Sequence, residues 1–256
     1  MPQTLNELPL KPGKPHLGFV GYGGFGQLAA LHLSPYFDIC AYDSLRPNAR
    51  MMTLPEVAIV GFEQVALCDV VVLAVPVSEI RASCEKLAPL LRPGTVVVDV
   101  GSVKIAPVSD MIECLPDHVQ IIGTHPLFGP QSAANGVAGL KLSLCPVRGS
   151  AWRNLRVFLR RQLGLKVYVC SANHHDRDAA TVQGLTHLIA KVLSEIGPLP
   201  TEMTTASFDL LMQAVSMVQD DPPSVLHAIE SANPYAADVR SAFFAKAAEI
   251  GAQFET

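Results

Sequence analysis

Charge is scarce in this sequence. Only 16% of its 256 residues are Asp, Glu, Lys or Arg, against 49% hydrophobic ones, and 23 acids face 19 bases for a net charge of −4. So slight a balance leaves no electrostatic footprint for nucleic acid or an anionic membrane, and the apolar content is too high for a disordered chain. Apolar runs approaching the roughly 18 residues of a membrane span are missing as well. The first 15 residues, broken by prolines and two lysines, lack the apolar core of a secretory signal. Six cysteines, at 40, 68, 84, 114, 145 and 170, never come closer than 16 residues, so no Cys-x-x-Cys or zinc-like spacing occurs and no metal is expected. Most of them sit in apolar runs, where cysteine acts as a small buried hydrophobe. A reduced, soluble, cytoplasmic protein is the expectation. With charge so scarce, either much of the chain is buried sheet or another subunit covers one face.

What is present is a regular alternation. His16–Val20, 38–42, 69–76, 95–100 and 119–124 read as strands, with helix-like segments at 25–33, 79–91 and 104–115 between them. Val- and Ile-rich strands with no polar alternation are buried on both faces, and their alternation with helices means parallel βαβ units. Further strands at 141–145 and 166–170 flank a basic helix over 152–162. After Cys170 only helical patterns remain, at 175–196, 201–219, 223–232 and 234–250, punctuated by prolines. The expected architecture is a doubly wound α/β domain over 1–171, residues 1–14 being a flexible tail, followed by an all-α domain over 172–256.

Gly21-Tyr22-Gly23-Gly24-Phe25-Gly26 follows the first strand and opens a helix. In a Gly-x-Gly-x-x-Gly turn the first glycine permits the tight turn and the second lets backbone approach a pyrophosphate. The third lets helix and strand pack closely, and the phosphates meet the free N–H groups of the helix N-terminus. Asp43 ends the second strand 22 residues after Gly21, where an acid binds the adenosine ribose hydroxyls. A carboxylate there favours NAD by repelling a 2′-phosphate; Arg46 and Arg50 leave NADP possible.

Two segments end parallel strands on the side where open α/β sheets bind ligands: Asp99-Val-Gly-Ser102-Val-Lys104 and Gly123-Thr-His125-Pro-Leu-Phe-Gly-Pro-Gln131-Ser132. Ser102 reads either as a helix N-cap or as a functional hydroxyl. Lys104 reads as a solvated first-turn lysine. His125, between a strand end and a Pro/Gly-rich loop, stands where a base is useful.

With these segments in this order, the chain resembles the prephenate/arogenate dehydrogenases of tyrosine biosynthesis. The likeness rests on Gly21-x-Gly-x-Phe-Gly-Gln27, Asp99-Val-x-Ser-Val-Lys104 and Thr124-His-Pro-Leu-Phe-Gly-Pro-x-Ser132, with His175-Asp-Arg and Thr186-His187 in the helical part. It runs over about residues 16–250 and is nearest the short, plant-like forms with no mutase or regulatory domain. The resemblance implies a Rossmann-type N-terminal domain, a helical domain that builds a homodimer, and a small-molecule substrate held in a cleft between them. The implied reaction is an oxidative decarboxylation of prephenate or arogenate. His125 draws the proton from the C4 hydroxyl as hydride leaves C4, CO2 is lost from C1, and the ring becomes aromatic. Because a neutral imidazole is needed, activity is expected to fall as the pH drops and His125 takes up a proton.

The resemblance assigns Ser102 to the C4 hydroxyl, His125 and the nicotinamide, and Val75, Pro76 and the glycine loop to the cofactor. His187 would point toward the substrate with Gln183 one turn before it, His175 would lie close to the cofactor and domain interface, and Gln131 and Ser132 would line the substrate loop. Two departures leave the substrate open. Gln131 stands where many members carry an acid, with none between 126 and 140 and Asn135 the nearest isostere. Ser207-Phe-Asp-Leu-Leu-Met-Gln213 lacks the arginine that many prephenate-specific members use for a carboxylate, so Arg177 or Arg240 is left as a clamp or as a surface residue. Other two-domain reductases, of β-hydroxyacid dehydrogenase or imine reductase type, and a non-catalytic dinucleotide sensor are the competing readings.

Overall fold

The computed structural model describes residues 13–44, 56–219 and 221–255. Arg46 and Arg50, and the tail up to residue 12, lie outside them. The chain divides into two compact units, Met1–Gly101 with Pro107–Val169, and Ser102–Ala106 with Cys170–Thr256.

The first unit is built on eight strands: β1 (His16–Val20), β2 (Asp38–Tyr42), β3 (Val57–Ile59), β4 (Val70–Leu73), β5 (Val96–Asp99), β6 (Gln120–Pro126), β7 (Lys141–Arg148) and β8 (Lys166–Val169). Their order in the sheet is β3-β2-β1-β4-β5-β6-β7-β8. All neighbours are parallel except β6 and β7, which run antiparallel with a register shift between Ile121 and Ile122. The order reverses between β1 and β4, the switch point at which such sheets bind ligands. The valine runs alternate faces with the pleat. Val70, Val72, Val96 and Val98 pack with α1 (Gly24–Leu33) and α5 (Trp152–Arg161). Val71, Leu73 and Val97 pack with Val65 of α2 (Phe62–Val65), with α3 (Ile80–Leu87) and with Met111 of α4 (Ile105–Cys114).

Two features of the sheet add to the sequence reading. Three-residue β3 is too short to show a periodicity, and β7 pairs antiparallel because β6 and β7 are joined by a loop and not by a helical crossover. The segment expected as one helix over 79–91 starts as a single 3₁₀ turn, Val77–Glu79, before α3.

The second unit carries α6 (Ala172–Ala179), α7 (Leu185–Glu195), α8 (Ala206–Ser216), α9 (Pro223–His227) and α10 (Ala236–Ala252). The helix expected over 175–196 is not uniform: a π-helical turn, Ala180–Gly184, separates α6 from α7, and a second one, Ala228–Ala232, follows α9. Ser171 starts α6 by accepting His174 N–H at 3.1 Å, and Thr205 starts α8 by accepting Phe208 N–H at 3.3 Å. Both satisfy amides that have no partner inside the helix. Among the described residues no helix is long and apolar enough to cross a membrane.

Candidate active site

The C-terminal edge of the parallel strands collects the glycine loop after β1, Asp43 after β2, Ala74–Pro76 after β4, Asp99 and Gly101 at the end of β5, and His125 near the end of β6. Each glycine of the loop has a distinct physical task. Gly21 has φ +90°, and a Cβ there would lie 2.5 Å from the Ala74 carbonyl oxygen. At Gly26 a Cβ would lie 2.9 Å from the Gly21 carbonyl oxygen, so only glycine lets α1 pack this close to the turn. At Gly23 it would meet nothing within 4 Å. Gly23 is also the N-cap of α1, with no side-chain hydrogen bond. Open space in front of an uncapped helix N-terminus is what a pyrophosphate requires.

Asp43 lies where the spacing put it. Its carboxylate accepts the Tyr22 N–H at 2.9 Å, which fixes the negative charge against the loop. Tyr22, expected among the cofactor contacts, supplies this backbone group; its side chain is buried in the core beside Phe19, ring centroids 6.3 Å apart, where burial pushes its phenol above the ordinary value. Val75 is half-buried behind Gly21 and Pro76 is exposed. Phe25 packs against Phe128 at 6.4 Å between ring centroids, a contact of the helix with the His125 loop. The nucleotide-binding motif thus fits its ligand in open space, helix polarity and acid placement.

His125 is buried, only 4% exposed, and stands opposite Ser143 of β7 in the sheet. Its strand neighbour Thr124 donates to the Asp99 carbonyl at 2.6 Å, and the fully buried Asp99 accepts the Gly101 N–H at 2.9 Å. These bonds tie the ends of β5 and β6 together. Register pairs Val20 with Leu73, Leu73 with Asp99 and Asp99 with Gly123. His125 therefore stands three strands across from the glycine loop, about 14 Å at the usual strand spacing. Ser132 holds the loop after His125 in shape: its hydroxyl accepts the Gly129 N–H at 3.0 Å and lies 3.2 Å from the Gly129 carbonyl. Gln131 beside it is exposed. A cavity of about 360 Å³ lies between the sheet, α1 and α5, but of the expected site residues only Phe25 lines it, and its apolar walls belong to the core.

In the second unit the residues differ more from expectation. Lys104, read as solvated, is fully buried. Ser102 does not cap α4, which starts at Ile105. The start of that helix is held instead by Asp176, a fully buried carboxylate that accepts the Lys104 N–H at 2.7 Å and the Ile105 N–H at 2.8 Å. Nδ1 of the buried His175 lies 2.7 Å from the same carboxylate, and the Asp176 carbonyl accepts from Asn233 Nδ2 at 2.8 Å. Asp176 is thus the hub that fixes the Ser102–Lys104 segment, a role its sequence neighbours did not reveal. An acid flanked by histidine and arginine in so weakly charged a chain was the available signal.

His187 is buried, with Nδ1 3.0 Å from the Gln183 carbonyl and Nε2 3.1 Å from Asp221. Gln183 belongs to the π turn, so its backbone and not a shared helix face relates it to His187. The arginines weighed as carboxylate clamps are both engaged. Arg240 pairs with Glu230, and Arg177 contacts Asn173 and stacks 5.5 Å from the Tyr235 ring centroid.

The chain is similar to several known proteins. Residues 49–152 match the family described as prephenate dehydrogenase, nucleotide-binding domain. The chain is 32% identical over 152 residues to arogenate dehydrogenase 2, chloroplastic, of Arabidopsis thaliana, an alignment of 57% of this chain and 42% of the relative. It is 28% identical over 238 residues to arogenate dehydrogenase 1, chloroplastic, of the same plant, covering 86% and 36%. The chain therefore spans well under half the length of these two relatives. Its fold superposes with a TM-score of 0.70 on prephenate dehydrogenase from Aquifex aeolicus, at 22% identity over 93% of this chain and 89% of that one.

Proposed function

We propose that the chain belongs to the prephenate dehydrogenase family, whose nucleotide-binding domain residues 49–152 match, and that it oxidatively decarboxylates prephenate, arogenate or both. The observation that carries the reading is a buried histidine, His125, at the same sheet edge as the Gly21–Gly26 loop. A nicotinamide dinucleotide bound at that loop supplies the hydride acceptor. His125 takes the proton of the C4 hydroxyl, and Ser102 orients that hydroxyl. Decarboxylation at C1 then aromatises the ring, so the task of the protein is alignment more than activation. His187, Gln183, Gln131 and Ser132 are assigned to the substrate side and His175 to the cofactor side.

NAD is the favoured cofactor. The support is the Asp43 carboxylate, locked on Tyr22 N–H, which places a negative charge where NADP carries its 2′-phosphate. The helical unit is assigned to a homodimer. The direct test supplies prephenate and arogenate, each with NAD and NADP, and follows absorbance at 340 nm. Reduction with either substrate supports the reading; tight dinucleotide binding with no turnover of either overturns it. His125→Asn is expected to keep substrate binding and lower kcat by about 10²–10⁴, the size of a general-base contribution.

A further inference from the structure

We propose that Cys40 and Cys68 form a buried dithiol that a peroxide closes, reversibly, to a disulfide. The two sulfurs lie 3.5 Å apart, and both residues are fully buried. Cys40 is the middle residue of β2 and Cys68 follows α2 just ahead of β4, so 28 residues separate them in sequence. They meet over β1 because of one glycine. Gly18 is the register partner of Cys40, and a Cβ on it would lie 3.1 Å from Cys68 Sγ and 2.7 Å from Val65 Cγ1. A strand glycine weakens a sheet and here opens the notch in which the two thiols pack.

The hydrogen-bond chain gives the sulfurs different roles. Either sulfur could donate to the other, but Cys68 Sγ donates to the Gln64 carbonyl at 3.9 Å, which leaves it to accept from the Cys40 thiol. The hydrogen bond with Cys40 holds Cys68 below the ordinary thiol value, with the Arg92 guanidinium acting the same way against burial and the Asp69 carboxylate, whereas that same bond and burial push Cys40 up. Cys68 is therefore the attacking sulfur. It attacks one peroxide oxygen, the O–O bond breaks, the leaving oxygen departs as alcohol or water, and Cys68 becomes a sulfenic acid. The Cys40 sulfur then displaces the hydroxyl as water and the S–S bond forms. In sum, two thiols and one peroxide give a disulfide, an alcohol or water, and water. An external dithiol reverses the step. Both sulfurs being buried, access requires a local opening of the chain around them.

The test is independent of the dehydrogenase reading. The native protein is treated with hydrogen peroxide, unfolded in alkylating reagent and analysed by mass spectrometry. The expected result is loss of two of the six thiols, a linked 40–68 peptide, recovery of both thiols with dithiothreitol, and a Tm raised by a few degrees. Cys40→Ser is expected to stop at a sulfenic acid on Cys68 that dimedone traps, and Cys68→Ser to keep all five remaining thiols. Six surviving thiols, a link between a different pair, or oxidation of Cys68 beyond the sulfenic acid with no link to Cys40 would each overturn the proposal.

Discussion

Gly21 and Gly23 stand two residues apart and face opposite constraints. Gly21→Ala forces a Cβ against the Ala74 carbonyl and strains a left-handed backbone, so it is expected to cost about 2–4 kcal/mol, visible as a lower Tm without any ligand. Gly23→Ala meets open space at φ −72° and is expected to leave stability within about 0.5 kcal/mol while weakening dinucleotide binding, as titration of the cofactor would show. Asp43→Ser is expected to raise the KM for NAD far more than for NADP; equal effects on both would end the NAD assignment. These positions were legible in the sequence because the chemistry is local: a turn, a helix start and an acid one strand away. Asp176 was not, because the amides it holds lie 71 and 72 residues earlier in the chain. Asp176→Ala removes the acceptor for both, buries them unpaired, and is expected to destabilise the protein by about 3–5 kcal/mol in urea unfolding.

At the scale of elements, the valine runs announced themselves and the departures from regular helix did not. Three valines in a row, Val70–Val72 and again Val96–Val98, read as a buried parallel strand whatever surrounds them. A π turn leaves no such mark, since it adds one residue to a helix without changing its composition. Here it matters for geometry. The Ala180–Gly184 turn sets the rotation of α7 relative to α6, and so the direction in which His187 meets Asp221. Deleting Val182 would remove the extra residue and leave regular α-helix, and Val182→Ala, at a residue 70% exposed, is expected to leave the Tm nearly unchanged.

For the whole molecule, the scarcity of charge divides between two causes. The first unit buries its apolar residues on both faces of a mostly parallel sheet. The helical unit leaves Val182, Ile196, Leu210, Met217 and Phe244 between 47% and 70% exposed, and the proposed homodimer would bury residues of this kind. Sedimentation is therefore expected to give a dimer, and Leu210→Asp to shift it toward monomer with the Tm becoming dependent on protein concentration; a monomer of 27.4 kDa at every concentration would refute this. The second unit is also discontinuous, since it takes Ser102–Ala106, the end of the loop after β5 and the first two residues of α4. The chain visits it, returns to finish the sheet and comes back, so the last 87 residues do not contain a complete unit. A polypeptide starting at Cys170 would bury Asp176 with neither amide to answer its charge. Its folding therefore awaits a short peptide synthesised some seventy residues earlier, and the obvious cut between sheet and helices would separate a lock from its key.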